Sequence, residues 1–146
     1  MSRAELEGMR ALKEQIRREI DGFASLKFGD RRHGELPMRA DVLRQLKHRM
    51  FKSFGGTLEL GGITRKPTIE MDRDGTVSLS FREGRRIVRL DVRCACVIRY
   101  EKSAVGRGHP IEEGDIIYPW ESGPEDDSLD AERAELRELF DWLVKG

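Results

Sequence analysis

Few side chains in this chain of 146 residues have the chemistry to hold a metal or attack a substrate: Cys94 and Cys96, His33, His48 and His109, and the run Asp72-Arg73-Asp74-Gly75. The acidic run fits the opening of a calcium loop. Glu70 takes the first ligand position, Asp72 the third, Asp74 the fifth, and Gly75 the sharp turn. The twelfth position needs a bidentate glutamate and is Phe81. A tight hairpin turn accounts for Asp-Gly at lower cost. The histidines stand in no metal-ligand spacing with each other or with a cysteine. Cys94-Ala95-Cys96 has one intervening residue, and no second cysteine pair follows. Alternation places both thiols on an apolar strand face, where desolvation raises a thiol pKa and makes it inert. The geometry also disfavours a disulfide between them, so reduced core thiols are expected.

Neither a G-x-x-x-x-G-K loop nor a G-x-G-x-x-G after a strand is present. Gly106-Arg107-Gly108-His109 has the flexibility to approach a phosphate, but it reads as an ordinary loop. No metal and no cofactor is expected. One set of residues, His109, Asp115 and Tyr118, is left as a possible small-enzyme site.

Basic side chains are more promising. Arginine outnumbers lysine 20 to 7, a bias that suits bidentate binding of phosphate or carboxylate and that a GC-rich genome also produces. Two groups are candidate nucleic-acid surfaces. The first is Arg31, Arg32, Arg39, Arg44, Lys47, His48, Arg49 and Lys52. The second is Arg82, Arg89, Arg93 and Arg99, on one face of a predicted sheet. Binders of single strands interleave aromatics on such a face. Here Phe81 and Tyr100 fall on the apolar side, which leaves sequence-independent phosphate contact.

The elements that carry these groups follow from periodicity. Ser2 and Glu5 form a capping-box pattern. Leu6, Met9, Leu12, Ile16, Ile20 and Phe23 then recur on one helical stripe. Residues 27–37 read as a loop. Pro37 opens a second helix to about Ser53, with Val42, Leu43, Leu46, Met50 and Phe51 inward, and Gly55-Gly56 stops it. From Thr57 the pattern alternates. Strands are predicted at Thr57–Leu60, Thr68–Met71, Thr76–Arg82 and Arg85–Tyr100, with a short last one through Ile116, Ile117, Tyr118 and Trp120. The final helix starts near Ser128 and carries Leu129, Leu136, Leu139, Phe140 and Leu143 inward. The fold class is therefore α+β: two N-terminal helices, an antiparallel four- to five-stranded meander, and a C-terminal helix packed on the sheet. One domain spans 1–146, with 1–53 helical, 57–120 sheet, and 121–146 an acidic arm and helix.

Charge is unevenly distributed along this plan. The net charge is zero, but segments 1–53, 54–81, 82–109 and 110–146 carry +5, −1, +5 and −9. The acidic arm is expected to lie on its own basic body, to reach a second copy, or to shield a nucleic-acid surface. Exposed ion pairs stabilise by less than about 1 kcal/mol each. Docking of the arm would therefore rest on Leu136, Leu139, Phe140 and Leu143, the predicted protein-interface residues. No stretch is long and apolar enough to span a bilayer, and the N-terminal residues form no signal peptide. The expectation is a cytoplasmic, non-enzymatic interaction module, an adaptor or accessory subunit of a bacterial-type system. Its partner is another protein or itself, as a homodimer, with no membrane. The alternative is a protein that binds the phosphate backbone of nucleic acid.

Overall fold

Ser2 opens the fold as a helix cap: its Oγ accepts the Glu5 N–H at 3.1 Å. Helix α1 runs Arg3–Ala24. The computed structural model describes residues 2–24, 40–51, 60, 62–72, 75–93, 97–117 and 126–145. The α1 stripe buries progressively. Leu6, Met9 and Leu12 are half-buried, whereas Ile16 and Ile20 are fully enclosed.

The second helix is shorter than its sequence suggests. Helix α2 covers Ala40–Arg44 and runs into a π-helical turn, Gln45–Met50. The Phe51 N–H bonds to the Leu46 carbonyl at 2.9 Å, five residues back. This wider winding brings Leu46, Met50 and Phe51 into the core together with Val42. An α-helix would turn adjacent residues 50 and 51 farther apart.

Five antiparallel strands follow in meander order: β1 (Thr68–Met71), β2 (Val77–Glu83), β3 (Arg86–Val92), β4 (Val97–Ala104) and β5 (Glu112–Ile117). Asp72 and Gly75 make the predicted turn between β1 and β2. The Gly75 N–H bonds to the Asp72 carbonyl at 3.0 Å, and Gly75 has φ +82°. Gly84, at φ +59°, opens a two-residue turn between the paired residues Glu83 and Arg86.

The predicted single strand Arg85–Tyr100 is two strands. Val92 pairs with Ile98, so the chain reverses between them. Directly paired residues share a face, and here partners differ by an even number of positions. The alternation therefore passes through the reversal in phase and hides it. Cys94 and Cys96 lie outside the described residues, as do 57–59 of the first predicted strand. Leu60 is buried but lies in no strand. The last strand begins earlier than predicted, at Glu112 rather than Ile116.

Helix α3 (Asp126–Lys145) completes the α+β fold. Leu136, Leu139, Phe140 and Leu143 join Ile69, Val77, Leu79, Phe81, Val88, Leu90, Val92, Ile98 and Ile116 in one core with α1 and α2. Phe140 meets Phe81 edge to face, with centroids 4.8 Å apart. Gly62, at φ +85°, brings the chain against α3: a Cβ there would lie 3.1 Å from Val144 Cγ1.

Candidate functional site

Strand alternation divides the sheet into a face covered by the helices and a face that is open among the described residues. Two cross-strand rows on the open face follow from the register. One is Thr68, Ser80, Arg89, Glu101 and Glu113; the other is Glu70, Ser78, Asp91, Arg99 and Asp115. Each row sets one arginine among acidic groups, Arg89 with Glu101 and Glu113, and Arg99 with Glu70, Asp91 and Asp115. Arg89 Nε donates to Asp91 Oδ1 at 3.0 Å, and Ser78 Oγ donates to the same oxygen at 2.6 Å. Burial pulls the Arg89 pKa down, but Asp91, with Glu101 and Asp72, more than reverses this and leaves it raised. Arg99 lies 3.6 Å from Glu113. Arg82 donates to the Gly84 carbonyl, and Arg93 is exposed just past β3. The face is mixed in charge rather than basic. It becomes apolar where Val97 pairs with Ile117, which is 68% exposed.

The other predicted basic group is not joined to this face. Arg44 and Lys47 lie on the helical layer, on the opposite side of the sheet. Lys47 Nζ donates to Asp21 at 2.5 Å. Arg31, Arg32, Arg39 and Lys52, and the side chains of His48 and Arg49, lie outside the described residues. Of the possible enzyme set, His109 is exposed in the loop between β4 and β5, and Asp115 is exposed on the open face within β5. Tyr118 lies outside the described residues. No group of three or more metal-ligating side chains converges among the described residues.

Leu136, Leu139, Phe140 and Leu143 are all enclosed, so α3 spends its apolar stripe on its own chain. Charge orients it, as a helix C-terminus prefers cations. Arg86 donates to the Trp142 carbonyl at 2.5 Å and stacks 4.7 Å from the Trp142 ring centroid. Glu132 is buried, and its Oε1 accepts a hydrogen bond from Gln45 Nε2 at 3.0 Å. Glu135, Glu138 and Asp141 point to solvent. Docking α3 therefore does not cancel the negative charge of the arm.

That charge gathers where α3 meets β5. A cleft of about 180 Å³ is lined by Tyr100, Lys102, Glu112, Asp115, Glu135 and Glu138, with Ile116 and Leu139 at its base. Tyr100 OH donates to Glu112 Oε2 at 3.1 Å, and Lys102 Nζ lies 3.2 Å from the same oxygen. Burial, then the bond to Glu112 and the charges of Glu112, Glu135 and Glu138, push the Tyr100 phenol up from its usual 10.0. The hydrogen bonds from Lys102 and Tyr100, with the charge of Lys102, pull Glu112 below 4.5. Tyr100 lies flat over Gly114, where a Cβ would come within 2.7 Å of the ring. Sequence reading missed this cleft because its residues are far apart in the chain. The one available signal was the acid-rich run Glu112-Glu113-Gly114-Asp115, which disguised an edge strand.

A second, larger groove of about 430 Å³ runs beside the first half of α1, lined by Met9, Leu12, Leu60 and Ile63. Its only charged lining residue among those described is Glu5. Comparison with protein families, curated proteins and solved structures gives no match. Among the described residues, no helix is long and apolar enough to cross a membrane.

Proposed function

We propose that the protein is a non-enzymatic docking module, an adaptor or accessory subunit that binds another protein. The observation that carries this reading is the open sheet face. Among the described residues the helices pack on the other side, and the free side presents ordered rows of charges beside the Val97–Ile117 pair, of which Ile117 is exposed. A surface of this kind supplies what a protein interface needs: an apolar anchor, with charged positions that select register and partner.

The test is capture from the native host with wild-type protein and with an Ile117→Asp, Arg99→Glu variant. Both positions are at least partly exposed, so the variant is expected to fold. The reading expects a defined protein partner that the variant loses. It is overturned if both proteins capture the same set, or if the only ligand is nucleic acid whose affinity falls steeply with salt.

A further inference from the structure

We propose that the free edge of β5, with the acidic cleft beside it, receives an extended basic segment of a partner protein as an additional strand. This inference rests on the docking-module reading and names a second surface and the chemistry of what binds there.

Two features converge at β5. It stands at the end of the strand order, paired only with β4 among the described residues. Alternate residues of such a strand turn their N–H and C=O groups away from the sheet, a template for another strand. Alongside runs the cleft between β5 and α3, where Glu112, Glu135 and Glu138 face one lysine among the described residues, Lys102. Lys102 is committed to Glu112 at 3.2 Å and lies over the Trp142 ring. An incoming strand places every second side chain on the cleft side of the sheet. A lysine or arginine there meets Glu135 and Glu138, and one on the other side meets Glu113 and Asp115.

The same charges decide against a second copy of this chain. Antiparallel pairing of β5 with itself sets Glu112, Glu113 and Asp115 against each other, and like charges directly opposite are unfavourable. Pairing with the other edge, β1, offers only four residues and brings in Glu70.

The probe is a short synthetic peptide alternating lysine or arginine with valine or threonine, titrated into the full chain. Amide hydrogen exchange and backbone NMR shifts are followed. Saturable binding is expected, with slowed exchange in β5 and shifts confined to β5 and the Glu135–Glu138 turn of α3. Glu135→Lys with Glu138→Lys, both exposed positions, should weaken binding by about tenfold or more. A peptide of the same charge with N-methylated backbone amides should bind at least about tenfold more weakly, since it has lost its ladder donors.

Equal binding of the N-methylated peptide overturns strand addition. Undiminished binding to the double variant overturns the role of the cleft. Shifts on the open face alone, or no binding, overturn the inference as a whole. None of these outcomes touches the docking-module reading, which stands or falls with the Ile117→Asp, Arg99→Glu capture.

Discussion

The two faces of the sheet are built from neighbouring residues of the same five strands, yet they are put to opposite uses. On the covered face Leu79, Phe81, Val88 and Leu90 have no exposure at all and share one core with side chains of the helices. On the open face Arg89 pairs with Asp91 and Arg99 with Glu113, and these groups meet solvent. Stability resides on the first face. The second contributes little to it, and so is free to vary with whatever it binds.

The contrast is testable by substitution, followed by denaturant unfolding. Phe140→Ala removes the ring packed against Phe81 and should cost about 3–5 kcal/mol. A loss below about 1 kcal/mol would show that α3 is not part of the core. Glu132→Ala takes a buried acceptor from Gln45 and should cost about 1–3 kcal/mol. Gly62→Ala forces a side chain into a positive-φ turn against Val144 and should cost about 1 kcal/mol or more. At the other extreme, a double-mutant cycle on Arg99 and Glu113 should return a coupling below about 1 kcal/mol, falling further in salt. A large coupling there would erase the distinction between the faces.

Titration sharpens the comparison at the border where α3 meets β5. The Tyr100 phenol is raised, so its neutral form is favoured in the fold. The associated stability is held below pH 10.0 and lost as pH climbs through the folded value. Ultraviolet titration should find a late phenol, and Glu112→Gln should bring it only part of the way back, because burial is the larger cause. Glu112 is lowered. Its contribution is present above pH 4.5 and fades as pH falls through the folded value.

Much of this arrangement is legible in the residues. Ser2 marks the cap, the α1 and α3 stripes mark their helices, and Gly75 and Gly84 mark turns that the backbone then takes with positive φ. The reversal between Val92 and Ile98 was not, because Arg93-Cys94-Ala95-Cys96 has no turn residue and the alternation stays in phase. The π turn was also hidden, since propensities do not distinguish a wide winding from an α-helical one. The basic sheet face dissolved for a simpler reason. Sequence spacing puts Arg89, Asp91 and Arg99 on one side, but only cross-strand register sets Glu101 opposite Arg89, Asp91 and Asp115 opposite Arg99, and Glu113 within reach of Arg99. The cleft depends on contacts between α3 and β5, which no local pattern encodes.

The meander has a consequence for how the protein is made. Among the described residues each strand pairs only with its immediate predecessor and successor in sequence, so this sheet is available to form by successive hairpins as it leaves the ribosome. Helix α3, which seals Phe81 and its neighbours from water, is translated after all five strands. During that interval the greasy side of the sheet is roofed only in part, by the helices that precede it, and the patch around Phe81 that α3 covers is open. Until α3 has left the ribosome and docked, the chain is therefore vulnerable to aggregation through that patch.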